Sequence, residues 1–473
     1  MTTETTPSAT RGVIPILLVA AFVVILNETT MNVALSSIMT DLGVTERTAQ
    51  WLTTAFMLTM AVVIPVTGWL LDRLPTRTVF TLAMAMFSTG TLACAVAPDF
   101  TLLVAGRVIQ ASGTAIMLPL LMTTIMRLVP GDHRGRVMGN VSMVISVAPA
   151  VGPTMSGLIL QVATWRVIFW VMLPIALLML VLGRSRLVNV GEASRTPLDV
   201  MSVPLTVLAF GPLVYGLSTV GSDAVAAWVP AAAIAVGLAG LAAFVWRQHS
   251  LQGSGAPLLD LRTFTHRTFT VAVLIMAVAM MALFGTVIML PLILQRAFGM
   301  APLQVGLMLL PGGVAMGLLS PAIGRLYDRV GPRALVVPAS LVVMGVFAFF
   351  ATISLATPWW AVTLGHVVMS MGFAAMFTPL FTVALGSLPR PLYSHGSAVV
   401  GTVQQVAGAA GTAVFVTIFA VQSAAAPGGE AEAMVAGARW AFLAAGAIWT
   451  VAVVAAPFLR RPDGDPAPLP AAH

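Results

Sequence analysis

Charge is what this sequence lacks most. Only 8% of its 473 residues are charged, whereas 59% are hydrophobic and the mean hydropathy is +0.99. A soluble domain has charges on about a quarter of its residues, because its surface must face water. The composition therefore predicts a protein whose solvent is a lipid bilayer.

Lysine is absent, and all 23 basic residues are arginines. Without lysine the chain cannot complete a glycine-rich phosphate loop, which excludes ATP-driven transport by this chain alone. The arginines are scattered rather than clustered, so the net charge of +7 does not indicate a nucleic-acid partner.

Residue types that build disulfides, metal centres and catalytic sites are also scarce. The one cysteine, Cys94, lies in an apolar run and excludes a disulfide framework. No His/Cys/Asp cluster has metal-ligand spacing, and no Ser-His-Asp pattern stands out. We therefore expect neither an enzyme nor a cofactor. No cleavable signal peptide is evident, because the first apolar stretch is long and no Ala-x-Ala-like site follows it.

Apolar runs of about 20 residues, long enough to cross a bilayer as helices, occur fourteen times. We expect an all-α polytopic protein of the cell membrane (inner or plasma membrane). The predicted spans are 13–35, 50–72, 78–97, 100–128, 137–161, 167–184, 198–219, 226–246, 268–294, 302–325, 333–354, 358–383, 396–422 and 436–458.

The arginines indicate an orientation for these spans. Eighteen of the 23 fall on one side of the predicted membrane, four on the other, and Arg107 lies within a span. Because cytoplasmic loops carry the excess of arginine, both termini are predicted to be cytoplasmic.

An internal repeat supports the count of fourteen. Segment 65–77 returns as segment 321–333, with proline, glycine, leucine, aspartate and two arginines in register. The offset of 256 residues between Asp72 and Asp328 is too long for two six-helix halves alone, and an inserted helix pair accounts for the excess. The predicted organisation is a tail at 1–12, a half at 13–184, the inserted pair at 198–246, a cytoplasmic linker at 247–267, a half at 268–458 and a tail at 459–473.

Both copies of the repeat resemble the loop signature Gly-x-x-x-Asp-Arg-x-Gly-Arg of the major facilitator superfamily, although Pro75 replaces glycine in the first copy. Segment 26–35 is similar to the first-helix motif of the fourteen-helix drug–proton antiporter branch (the EmrB/QacA type). Segments 107–113 and 148–157 resemble the motifs of helices four and five in that branch. The resemblance spans essentially the whole chain. It implies the major facilitator fold and a monomer that exchanges a small-molecule substrate for protons across the lipid bilayer.

Two charged residues lie well inside the predicted spans, Glu28 and Arg107. A charge at a helix centre costs about 2.5–3.5 kcal/mol on insertion scales, so each is a functional candidate. A desolvated carboxyl at Glu28 could take up and release a proton, or it could form a structural hydrogen bond. The resemblance implies that Arg107 influences the protonation of an acid; the alternative is that Arg107 has a structural role. Many family members carry aspartate at Asn27, so the acid here is shifted by one residue.

The repeated segments supply candidate gating residues. An ion-pair network that forms in one conformation and breaks in the other would bias rocking between the halves. Anchoring by arginine is the alternative, but it does not explain the recurring aspartate. The candidates are Asp72, Arg73, Arg77, Asp328, Arg329 and Arg333.

The antiporter motif contributes Pro149, Gly152, Pro153 and Gly157. Proline kinks a helix and glycine lets two backbones approach closely, so this helix is expected to pack at the interface between the halves. Without the resemblance, ordinary enrichment of glycine and proline in membrane helices would explain the pattern.

Substrate contacts are predicted from polar residues within spans and from methionine- and phenylalanine-rich stretches. Methionine adapts to varied ligands, although core packing or lipid contact is the commoner role of any single methionine. The candidates are Asn27, Asn32, Gln110, Met280, Phe284, Phe377, Gln404 and Gln405. His366 could titrate or form a hydrogen bond between helices.

These observations favour a proton-coupled exporter of small hydrophobic or cationic compounds, of multidrug type. The alternatives are a narrow-specificity exporter of an antibiotic or lipid-like metabolite, a facilitator without proton coupling, and a receptor with a transporter fold.

Overall fold

The computed structural model describes residues 12–190, 197–221, 225–254 and 257–461. Within these ranges, thirteen helices are long and apolar enough to cross a membrane. They are α1 Val13–Leu42, α2 Trp51–Arg73, α3 Thr76–Ala95, α4 Phe100–Leu128, α5 Arg134–Val162, α6 Arg166–Arg186, α7 Ser202–Thr219, α8 Trp228–Leu251, α9 Arg267–Arg296, α10 Pro302–Phe350, α11 Trp359–Gly386, α12 Tyr393–Ala425 and α13 Glu430–Ala455.

Helix α10 reconciles thirteen helices with fourteen predicted spans. It is 49 residues long, and its helical geometry is interrupted at Gly331, where φ is +79°. This left-handed conformation favours glycine because a side chain would be strained there. Helix α10 covers the predicted span 302–325 and most of the predicted span 333–354, so the prediction of fourteen spans is confirmed.

The largest difference from the predicted boundaries is at α1. Its helix extends beyond residue 35 to Leu42 and ends at Gly43, which has a φ of +62°. Apolar runs mark the part of a helix that lies in lipid, whereas backbone hydrogen bonding continues until a residue such as glycine terminates it.

The helices pack in two groups. In the first group, α1 packs against α4, α5 and α6, while α3 packs against α4 and α6, and α2 against α4. In the second group, α9 packs against α11, α12 and α13, and α10 against α11 and α13.

The two groups meet through helices that the repeat relates. Helix α5 of the first group packs against α10 and α11, and α12 of the second group packs against α2 and α4. Helices α7 and α8 pack tightly against each other, and α7 also contacts α2 and α12. The end of the bundle that carries segments 65–77 and 321–333 is called the motif end below.

Candidate functional site

A buried polar cluster occupies the interior of the first group. Arg107 of α4 donates through Nη1 to Gln110 Oε1 at 2.6 Å and to Asn27 Oδ1 of α1 at 3.3 Å. Gln110 donates to Thr91 Oγ1 of α3 at 2.8 Å. The Arg107 guanidinium lies 4.0 Å from the centre of the Phe56 ring of α2. Four helices therefore hold this one cation in place.

This cluster has unused hydrogen-bonding capacity. Arg107 and Asn27 are each only 1% exposed. Arg107 Nε and Asn27 Nδ2 have no hydrogen-bond partner in the part of the chain that the structure describes. Leaving a buried donor unpaired costs about 1–3 kcal/mol, so the cluster is suited to receive a further acceptor.

Glu28 lies half-buried beside this cluster. It is close enough to Arg107 for their opposite charges to attract, but Arg107 makes its hydrogen bonds to Asn27 and Gln110 instead. Adjacent residues on a helix point about 100° apart. Asn27 therefore accepts the hydrogen bond from Arg107, and the adjacent Glu28 lies outside that hydrogen-bond network.

Asp72, at the motif end of α2, joins the two groups. Its Oδ1 accepts from Ser394 Oγ of α12 at 2.6 Å and from Arg127 Nη2 of α4 at 3.0 Å, and its Oδ2 lies 3.2 Å from His395 Nε2. Gly68, one turn earlier, makes room for this approach, since a Cβ there would lie 2.8 Å from His395 Nδ1.

Asp328 makes the corresponding connection from the second group. Its two carboxylate oxygens accept, each at 2.8 Å, from the backbone N–H groups of Gly135 and Arg136 at the start of α5. The positive end of the helix dipole favours a carboxylate at this place. Gly324 lies directly against Gly135, and a side chain at either position would collide with the backbone of the other.

The predicted gating set is thus brought together only in part. Both aspartates bridge the groups, whereas Arg77, Arg329 and Arg333 are exposed. Arg73 is half-buried at the end of α2.

Sequence reasoning missed the partners of both aspartates, namely Arg127, Ser394, His395 and Gly135. One signal was available in the sequence: near the start of α5 and of α12, a residue with a basic side chain is followed by glycine, Arg134-Gly135 and His395-Gly396.

The four residues of the antiporter motif on α5 have different environments. Pro149 and Pro153 are exposed, and a Cβ at Gly157 would meet nothing within 4 Å. Gly152 is buried against Thr29 of α1, within the first group.

Helix α5 does lie at the interface between the groups, but residues other than those four also bring it close to α10. Gly139 lies against Ser320, and Ala150 lies against Gly313. These small residues set the spacing of α5 and α10.

Gly152→Ala tests the contact between α5 and α1. The new Cβ would overlap Thr29 Oγ1, and overpacking of this kind costs about 1–3 kcal/mol. We expect a lower melting temperature, measured by size-exclusion chromatography of heated, detergent-solubilised protein. The matched control is Gly157→Ala, which has open space and should leave the melting temperature unchanged or raise it. Equal melting temperatures for the two variants would contradict this account.

The candidate substrate residues are dispersed. Met280 is buried in α9, and the Phe377 ring of α11 packs between Phe373 and Phe381, with centroid distances of 5.6 and 6.3 Å. Phe284 packs against Gly408.

Gln404 and Gln405 are half-buried on α12, and Gln110 belongs to the polar cluster. The side chain of Asn32 lies outside the described residues. Substrate contact by this set stays a prediction.

His366 connects two helices of the second group. It hydrogen-bonds to the backbone of Leu309 on α10, and Gly312 leaves room for its ring. This is the interhelical role that the sequence offered as one of two alternatives.

Comparison with known proteins gives the family. Residues 17–412 match the model of the Major Facilitator Superfamily. The chain is 36% identical to "Lincomycin resistance protein LmrB" of Bacillus subtilis, with 98% of this chain and 100% of the relative covered. It is 32% identical to "Multidrug resistance protein B homolog" of Mycobacterium tuberculosis, with 83% and 73% covered.

A solved structure shares the fold. The human organic anion transporter MFSD10 (TETRAN) aligns with a TM-score of 0.67 at 16% identity, covering 95% of this chain and 100% of that one. Together with the apolar helices, these matches identify a multi-pass plasma-membrane transporter. The chain belongs to the Major Facilitator Superfamily.

Proposed function

We propose that this transporter exports small hydrophobic or cationic compounds in exchange for protons, by alternating access. The observation that carries the proposal is Glu28. Among the residues that the structure describes within the spans, it is the one carboxylate placed away from both the helix ends and the break at Gly331. It lies beside a fixed cation whose network has two unpaired donors. A carboxyl that can be reached from alternate sides and can hold a proton is what coupling requires.

The names of the relatives support export, and the arginine distribution supports the orientation of the transporter in the membrane. The similar proteins of Bacillus subtilis and Mycobacterium tuberculosis are named for resistance to lincomycin and to multiple drugs, which supports export. The arginine excess at the motif end supports a cytoplasmic location for that end and for both termini.

The contacts at the motif end suggest how the two groups move. Asp72 and Asp328 each fasten one group to the start of a helix in the other, and Thr123 of α4 bonds to Ser397 of α12 at 3.1 Å. We infer that these contacts close the cytoplasmic end and release when the groups rock, with the two groups acting as the two halves.

Uptake into inverted membrane vesicles tests this function. Lincomycin and a lipophilic cationic dye would be supplied outside, and a proton gradient, acidic inside, would be imposed. We expect concentrative uptake that stops when nigericin dissipates the pH gradient. Uptake that is indifferent to the gradient would support a facilitator, and binding without uptake would support a receptor.

A narrow-specificity exporter is the second candidate. The 36% identity to the relative named for lincomycin resistance extends over that relative's full length. In the same assay, transport of lincomycin without transport of the dye would favour this reading over the multidrug one.

A further inference from the structure

Helix α7 lies in the boundary between the two groups. It contacts α2 of the first group and α12 of the second, and α8 covers its other side. Helix α8 itself is mostly exposed; its buried residues among those described are Gly237, Phe244 and Gln248. The pair therefore places one helix against both groups and one helix outside it.

The way α2 and α12 are joined changes along their length. At the motif end they touch directly, with Gly68 against Ala398 and Ile64 against Gly401.

At the opposite end, the α7 segment contacts both helices. Trp51 of α2 stacks on Tyr215 of α7 with ring centroids 5.9 Å apart. Gly221, just beyond α7, lies against Val416 of α12. Helix α7 thus bridges α2 and α12 at the end away from the motifs.

The two helices of the inserted pair, α7 and α8, are joined to each other at the motif end. Asp199 forms a two-pronged ion pair with Arg247, at 2.8 and 3.1 Å. The hydrogen bonds from Arg247 hold the pKa of the Asp199 carboxyl below its usual value, so the pair is ionised at neutral pH. Gln248 donates to Ser202 Oγ at 2.7 Å.

The same end is tied to the second group through the linker. Gln248 Oε1 accepts from the backbone N–H groups of Leu258 and Leu259. The next residue, Asp260, donates its N–H to His395 Nδ1 of α12 at 3.2 Å. The pair is therefore anchored beside α12, while its far end touches α2 through the Trp51–Tyr215 stack.

We propose that α7 is a lateral seal, which closes the cleft between α2 and α12 to the lipid at the end away from the motifs. The other boundary, between α5 and α10, has no inserted helix over it in the described part of the chain. On the two helices that form it, Leu158 of α5 and Leu307 of α10 are 61% and 60% exposed.

The consequence rests on the proposed export function. A compound dissolved in the membrane would pass between lipid and the space between the groups along α5 and α10, and not along α2 and α12.

The internal repeat provides a matched pair of probe positions. Leu58 is half-buried and lies two turns from Trp51, on the face of α2 that contacts α7 through the Trp51–Tyr215 stack. Its repeat counterpart, 256 residues later, is Val314 of α10, which is 42% exposed. A nitroxide would be attached at position 58 or 314 in a Cys94→Ala background and measured by electron paramagnetic resonance in liposomes.

Collision with oxygen, which concentrates in lipid, reports exposure to the bilayer. We expect the oxygen collision rate to be several-fold lower at 58 than at 314. Tyr215→Ala, which removes the stacked ring, should raise the rate at 58 and leave the rate at 314 unchanged. Equal rates at 58 and 314 in the background protein would overturn the seal, and this comparison does not depend on whether the Tyr215 variant folds.

The vesicle assay separates this inference from the proposed function. A shielded nitroxide at position 58 together with no gradient-driven uptake would support the seal and contradict the proposed export function. Gradient-driven uptake with an unshielded 58 would do the opposite.

Discussion

Glu28→Gln is expected to abolish uptake driven by a pH gradient while leaving substrate binding intact. Glutamine has nearly the size of glutamate, but it cannot carry a proton. The half-buried acid lies beside Arg107, whose hydrogen bonds go to Asn27 and Gln110. The cation is therefore held by neutral amides, and the substitution should not dismantle the cluster around it. Uptake in inverted vesicles should fall to the level of vesicles without the protein, at equal expression.

Glu430→Gln is the matched control for this experiment. The same chemical change is made at an exposed residue in the first turn of α13, and uptake should stay at the level of the unaltered protein. Binding would be measured on purified protein by quenching of tryptophan fluorescence. Normal uptake by Glu28→Gln would place the coupling proton elsewhere, with His366 as the next residue to replace.

Asp72→Asn is expected to open the motif end. The substitution removes the charge that holds Arg127 and His395, so the link between α2 and α12 weakens. A hydrogen bond to a charged group contributes about 1.5–3 kcal/mol. The ratio of closed to open molecules should therefore fall about tenfold or more, and uptake should fall because the cycle is biased to one side.

A cysteine at Ser397 would report this change. Ser397 is buried between α12 and α4 at the motif end, so a water-soluble maleimide should label Ser397→Cys slowly in a Cys94→Ala background. Adding Asp72→Asn should speed labelling by about tenfold, in line with the population shift.

Asp41→Asn serves as the control for Asp72→Asn. It breaks an ion pair of similar kind, Asp41 with Arg166 at 2.6 Å, but both residues belong to the first group and lie at the other end of the bundle. The labelling rate should not change. If both variants speed labelling equally, the effect is loss of stability and not release of a gate.

Much of the fold follows from local sequence. A membrane helix can be recognised from its own apolar composition. Twelve predicted spans each coincide with one helix, and the other two coincide with α10, to within a few residues at most ends. The break at Gly331 was also expected, because it falls between the predicted spans 302–325 and 333–354.

The candidate site was visible only in part. Glu28 and Arg107 stand out because charges are rare in apolar runs. Whether Glu28 and Arg107 contact each other cannot be read from the sequence, since a step of one residue along a helix turns a side chain by about 100°. In the structure, Arg107 donates a hydrogen bond to Asn27, which was predicted only as a substrate contact.

By itself the sequence determined that this chain is a membrane protein with fourteen apolar spans, a duplicated Asp-Arg segment and one acid deep in its first span. Only the tertiary structure decided what those residues touch. Asp72 meets Ser394, which is 322 residues away, and Asp328 meets the backbone of Gly135. The physical reason is that apolar composition and helical periodicity are local properties of a segment. A contact between helices depends on how several segments pack, and that packing is set by small residues such as Gly68 and Gly324, whose lack of a side chain is informative only once their neighbours are known.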